Sequence, residues 1–346
     1  MELRSFFRKL PKVELHCHLA GTVQASTFVD LAKKNGIELP AYKTPTDLYT
    51  WKVLDDFLPV YRLISQSLQA RDDFRRTMYE ALRVASENGV HYLEMFWNPT
   101  DHIEFGVPFQ ISMDGMIDGI NDARTDFGIE GRIIAAVDRE SGPDLAVELV
   151  ELMIDHRRDE LIGIGADYNT TFHPPEAFWR AFQLAGEAGF YRTSHVSEYG
   201  HPARDVEAAL EILGCDRLDH GYRVLEDERI TQRCLDEGVV FTVVPLADRA
   251  WIIENYGSYD LSKHVIQDMD ARGLKIMLNS DDPGMMQSDI GGDYIVVGEH
   301  MRFEPVDFKR FMLNGIEAAW VDDATKQHWR SEWSKEFDEL LSQLKN

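Results

Sequence analysis

The sequence predicts an α/β fold: a (β/α)8 TIM barrel with a helical insertion after its first strand and extra helices after its last. Three observations carry this. Short β-rich runs recur near 12–18, 91–97, 132–138, 162–168, 190–196, 216–220, 239–245 and 275–281. Stretches of helical periodicity separate most of them, and strands that alternate with helices pair in parallel. Eight such units close into a barrel, for which about 250 residues is typical, so a chain of 346 leaves room for insertions.

In chain order, the first strand is followed by a long crossover, 19–90, expected to hold helices at 26–36 and 54–68 and to cover the barrel mouth. Helical periodicity then marks 71–88, 108–126, 143–156, 174–188, 203–213, 226–236 and 263–272, and closing helices at 305–317 and 323–345. The tail from Asp322, highly charged and containing tryptophan, reads as an amphipathic packing element. No Pro/Gly/Ser-rich linker, low-complexity tract or internal repeat divides the chain, so one domain over 1–346 is the economical reading. A doubly wound sheet would need a phosphate-binding turn. Gly163-Ile164-Gly165-Ala166-Asp167-Tyr168 lacks its third glycine and sits within a strand, and neither a P-loop nor H-E-x-x-H occurs.

A net charge of −24 leaves no basic surface to neutralise phosphates, which argues against a nucleic-acid partner and favours a small molecule. No stretch approaches a membrane span, and Met1–Lys9 has no apolar stretch long enough for a secretory signal, with the first strand expected at once. Cytoplasmic residence is the default expectation. Cys17, Cys215 and Cys234 are too far apart for a disulfide framework or a thiolate metal site, and alternation should turn Cys17 away from its flanking histidines.

In such a barrel the working residues project from the C-terminal ends of different strands. His16 and His18 end strand 1 and, two apart, face one side; His195 ends strand 5, Asp219 and His220 strand 6, Asp281 and Asp282 strand 8. Three neutral imidazoles with a carboxylate suit zinc, although iron and cobalt accept the same donors. A metal so held lowers the pKa of water from 15.7 toward about 7, which implies hydrolysis. Glu198, just beyond His195, is the natural proton donor; its competing reading is a solvated loop residue. His220 could accept a proton from water or be an ordinary buried histidine. Asp219 could hold the tautomer of His220, although alternation aims it the other way. Alternation also forbids Asp281 and Asp282 the same orientation, so one is expected at the metal and the other at substrate or behind the ligands.

Taken together, Pro11-Lys12-Val13-Glu14-Leu15-His16-Cys17-His18-Leu19 with Gly21-Thr22, Tyr92-Leu93-Glu94-Met95-Phe96, His195-x-x-Glu198, Asp219-His220-Gly221 and Asn279-Ser280-Asp281-Asp282-Pro283 resemble the adenosine and adenine deaminase family of the amidohydrolase superfamily. The resemblance spans most of the chain. It implies a barrel of the metal-dependent hydrolase type with one Zn2+ per chain, held by His16, His18, His195 and Asp281. Glu198 would protonate purine N1, His220 would assist the water, and Asp282 would bond N7. Water would add at C6 and ammonia leave, and an aminopurine would be the small-molecule partner.

The sequence departs from the family at three places that bear on substrate. Ala20 stands where adenosine deaminases carry an acid that meets ribose and adenine deaminases a glutamate. Val244-Pro245-Leu246-Ala247-Asp248 replaces Cys-Pro-x-Ser-Asn. Asp167-Tyr168-Asn169-Thr170 replaces a small-residue turn near the purine, making Asp167 and Thr170 expected substrate contacts, while His173-Pro174-Pro175 looks more like the adenine deaminase branch. Adenosine, adenine and a modified aminopurine stay open as substrates. So do an amidohydrolase of a non-purine heterocycle and a zinc-binding protein without turnover, and the oligomeric state is not legible.

Overall fold

The computed structural model describes residues 1–51, 53–198 and 202–344. Eight strand positions follow one another: β1 Lys12–His18, β2 Val90–Trp97, β3 Glu130–Asp138, β4 Leu161–Asp167, β5 in two stretches, Tyr191–Arg192 and His195–Val196, then β6 Leu218–His220, β7 Val240–Val243 and β8 Lys275–Leu278. Every pairing is parallel and joins sequence neighbours. Across the break in β5 the Thr193 N–H donates to Ile164 O at 3.0 Å. On the opposite side, His18 N–H donates to Asp281 O (2.9 Å) and Asp281 N–H to His16 O (3.0 Å), tying β1 to the chain just beyond β8. Parallel pairing puts all the C-terminal strand ends at one mouth, as the predicted barrel requires.

The helices match the periodic stretches with instructive exceptions. The 174–188 stretch divides into a 3-10 turn, Pro175–Phe178, and a helix, Trp179–Glu187; the 203–213 stretch passes from an α-helix, Arg204–Ala208, into a π turn, Ala209–Leu213. Outside the first crossover, four α-helices were not anticipated: Leu3–Lys9, Pro99–Ile103, Arg249–Tyr256 and Ile290–His300. Leu3–Lys9 buries the adjacent Phe6 and Phe7, and Ile290–His300 buries Ile290, Gly291, Asp293, Tyr294, Ile295 and Val297, so neither shows a one-sided apolar stripe. The C-terminal helix spans Asp323–Ser342 and packs Trp333 and Phe337 inward; predicted residue Lys345 lies outside the described residues.

Inside the barrel, Glu94 and Arg217 form a fully buried ion pair (2.6 Å) near the N-terminal end, with the guanidinium 3.8 Å from the Trp320 ring centre. Glu94 Oε1 accepts from Trp320 N–H and Tyr92 O–H, both at 2.8 Å. Phe96, with Ile134 and Ala136, forms the apolar layer above, and its ring stacks on His18 at 4.9 Å. Phe96 thus separates a charged floor from the mouth. Over the mouth, the long crossover contributes helices Ala25–Asn35 and Leu54–Ser67, whose Phe28, Phe57, Tyr61 and Ile64 pack with Tyr49, Tyr168 and Met285 into a second apolar cluster. The predicted cover is therefore present.

Candidate metal and catalytic site

The backbone at the mouth is bent where the chemistry gathers. Among the described residues five non-glycine residues have positive φ, and four stand at strand ends: Tyr168 (64°), Ser197 (51°), His220 (61°) and Asp281 (60°). Each left-handed residue costs of order 1–3 kcal/mol and persists only where its surroundings impose it. The bends break the side-chain alternation of a strand. After Ser197, Glu198 turns into the cavity. At Asp281 the bend lets both acids line one cavity in different orientations, Asp281 facing His16 and His18 and Asp282 leaving its Oδ1 unpartnered among the described residues. A glycine accommodates this arrangement, because a Cβ on Gly21 would lie 1.8 Å from Asp282 Oδ1.

Four donor side chains converge. His195 Nε2 lies 3.2 Å from Nε2 of both His16 and His18, and Asp281 Oδ1 lies 3.3 Å from His16 Nε2 and 3.2 Å from His18 Nε2. Each imidazole turns its other nitrogen outward to an acceptor. His16 Nδ1 faces Thr242 O (3.2 Å) and Oγ1 (3.1 Å), His195 Nδ1 faces Asp219 Oδ2 (3.2 Å), and His18 Nδ1 faces Asp167 Oδ2 (3.4 Å). Acceptors behind Nδ1 hold the hydrogen there, leaving three Nε2 lone pairs and a carboxylate aimed at one point. Three imidazole nitrogens and one carboxylate oxygen are the donor set of a zinc site that keeps a position for water or substrate. Burial alone would lower His16 and His18, yet the carboxylates facing them raise both, and those imidazoles in turn hold Asp281 well below the usual range.

Asp219 therefore backs His195 rather than His220, and Thr242 Oγ1 donates to its other oxygen at 2.7 Å. Cys17 is buried and belongs to the main apolar core rather than the donor set, as alternation required.

Beside the donors, His220 Nε2 lies 3.5 Å from Glu198 Oε2. Burial, reinforced by Asp281, Asp248 and Asp282, raises the Glu198 carboxyl well above the ordinary range, so Glu198 is a buried acid and not a solvated loop residue. Burial and the neighbouring imidazoles push His220 well below its usual value. Asp282 is raised by burial and by Asp281, and its Oδ1 has no hydrogen-bond partner.

His18, Asp167, His195, Glu198, His220, Asp281 and Asp282 line one cavity of about 730 Å³, open mouth included, roofed by Trp51, Val53, Leu54, Phe57, Leu58, Tyr61, Tyr168 and Met286. Asp167 reaches it while bound to Asn98 Nδ2 (2.7 Å) and facing His18, so it supports a ligand as well as a wall. Thr170 is buried but outside the lining. Ala20 packs in the apolar cluster of the crossover. Sequence reasoning missed Asn98, whose Oδ1 accepts from Tyr61 O–H (3.1 Å), Thr242, and Arg139, whose guanidinium donates to His195 O (3.0 Å) and His173 O (2.9 Å). Their position at or just past strand ends was the available signal.

Comparison with known proteins agrees with this geometry. The family model described as adenosine deaminase matches residues 11–336. An adenine deaminase of Vibrio parahaemolyticus is 31% identical over 331 residues, covering 95% of this chain and 96% of that protein. Among solved structures, an amidohydrolase from Burkhoderia ambifaria with bound Zn is 40% identical at a TM-score of 0.92, covering 98% of this chain and 93% of that one. The adenine deaminase of Arthrobacter aurescens is 30% identical at 0.89, covering 95% and 99%. Both the matched span and the extent of these relatives establish that the chain belongs to the adenosine deaminase family.

Proposed function

We propose that this protein is a zinc-dependent hydrolase that deaminates a 6-aminopurine to the 6-oxo product and ammonia. The observation that carries the reading is the convergence of His16, His18, His195 and Asp281 beside a buried Glu198 and His220 on one roofed cavity. Zinc held by those four side chains supplies a Lewis acid that makes water nucleophilic at neutral pH. His220 Nε2, with its lone pair toward the cavity, accepts a proton from the attacking water. Glu198, whose carboxyl is pushed well above the ordinary range by burial, delivers a proton to N1 as water adds to C6, where charge would otherwise collect on the ring. Asp282, which lines the same cavity with an unpartnered Oδ1, hydrogen-bonds to N7. The C6 amino group takes up the proton held by His220, the new C6 hydroxyl returns a proton to Glu198, the C6–N bond breaks, and ammonia leaves with the 6-oxopurine remaining. Thr170 takes no part in this reading.

Free adenine or a modified aminopurine is favoured over adenosine. Ala20 brings no carboxylate to the cavity, and apart from Arg249 at its wall the roof offers mainly aromatic and aliphatic surface where a ribose would need hydrogen-bond partners. The test is ammonia release by zinc-loaded protein against adenine, adenosine, 2′-deoxyadenosine and a set of N6- and ring-modified aminopurines. Turnover of one or more, with adenine or a modified base ahead of adenosine, is the expected result. Silence across the panel with zinc bound would overturn it.

A further inference from the structure

The segment Val244-Pro245-Leu246-Ala247-Asp248 beyond β7 has no assigned part in this chemistry, yet Asp248 is buried beside it. Its hydrogen-bond partners can be followed from the backbone inward. Ile266 N–H donates to His264 Nδ1 at 3.2 Å. A nitrogen that accepts carries no hydrogen, so the His264 hydrogen sits on Nε2, 2.8 Å from Asp248 Oδ2, and is donated there. The Tyr222 hydroxyl accepts from Val244 N–H at 3.1 Å, which leaves its own hydrogen for another acceptor, and the neighbouring Asp248 carboxylate, whose buried Oδ1 has no other partner among the described residues, is the acceptor at hand. The same hydroxyl oxygen lies 3.4 Å from His220 Nδ1. With its one hydrogen committed, it can only accept at that contact, and Asp248 Oδ1, 3.9 Å from the same nitrogen, also favours a hydrogen on Nδ1. Burial raises the Asp248 carboxyl, and the bonds from His264 and Tyr222 oppose that rise.

We propose that His264, Asp248 and Tyr222 form a buried hydrogen-bond relay that holds His220 as its Nδ1–H tautomer, presenting Nε2 to the cavity as an acceptor. Two backbone amides, Ile266 and Val244, set the direction of the whole relay. Asp248, His264 and Tyr222 are positioning residues: they act through His220. The catalytic consequence rests on the deaminase reading above; the tautomer does not.

The test is the ring 15N spectrum of zinc-loaded protein labelled at histidine, with His220 identified by its loss in His220→Gln. The expected spectrum has a protonated Nδ1 and a bare Nε2 at His220. Asp248→Asn and Tyr222→Phe should each shift those two resonances toward a mixed-tautomer average, and lower kcat by about tenfold or more with KM within about twofold. Tyr222→Phe keeps the test alive if Asp248→Asn does not fold, since it removes one hydroxyl. A purely structural Asp248 would leave the ring resonances unmoved. An Nε2–H tautomer in the unsubstituted protein, or unshifted resonances in both variants, overturns the relay. If the resonances behave as expected but no aminopurine turns over, the relay stands and the deaminase reading fails.

Discussion

Two buried polar clusters share the interior of this barrel, and only one is built to react. At the floor, Glu94 faces Arg217 at 2.6 Å, and the second carboxylate oxygen takes hydrogens from Tyr92 and Trp320. At the mouth, three imidazole nitrogens and Asp281 converge on one point, and no non-glycine residue of the floor cluster shares the left-handed backbone found there. Burial and charge are common to both. What separates them is where the hydrogens go: inward between partners at the floor, outward to Thr242, Asp219 and Asp167 at the mouth. Buried charge alone therefore does not mark a functional site; convergent acceptors on strained strand ends do.

The contrast can be broken by substitution. The largest effect is expected for Glu198→Gln, which should keep zinc and lower kcat by about 10²–10⁴-fold. Ammonia release alongside metal analysis decides, and near-native turnover would remove Glu198 as the proton donor. At the floor, Glu94→Gln strands the Arg217 charge and should cost about 3–5 kcal/mol in denaturant unfolding, with KM of the folded fraction unchanged. Replacing the pair together, Glu94→Leu with Arg217→Met, should bring stability back to near the original value. A large loss of zinc affinity in either floor variant would show that the two clusters are coupled.

Smaller effects sharpen the comparison. Asp219→Asn removes the carboxylate behind His195 and should weaken zinc binding by about 10–100-fold, measured by competition with a chelator. Undiminished affinity would mean that the outward hydrogen bond does not tune the ligand. Trp51→Ala in the roof should raise KM by about threefold to tenfold, or broaden the accepted substrates, with kcat little changed. Identical kinetics on every accepted substrate would take Trp51 out of substrate selection.

The contrast also explains what the sequence made legible. Alternating strand and helix signals exposed the barrel, because each unit carries its own periodicity. The cluster at the mouth was visible because histidines and acids recur at strand ends far apart in the chain. Orientation was only partly visible: alternation turned Asp219 away from His220 without naming His195 as its partner, and it fails at Asp281, where φ turns positive and both acids line one cavity. Asn98, Thr242 and Arg139 were hidden for a different reason. A single polar residue near a strand end gains its meaning only from a partner many residues away, as Asn98 does from Asp167. Ile290–His300 escaped because a helix buried on several faces has no stripe to read.

Selection for heat resistance and selection for turnover should pull in opposite directions at the left-handed strand ends. Glycine adopts their backbone geometry without strain, and at Ser197, where the change removes only a hydroxyl bonded to Pro202 O, a library ranked on melting temperature alone will favour it; at Tyr168 the packed ring outweighs the strain. Glycine also releases the turn that aims Glu198. A lineage of this enzyme hardened without an activity screen would be expected to grow more robust while its acid drifts off target.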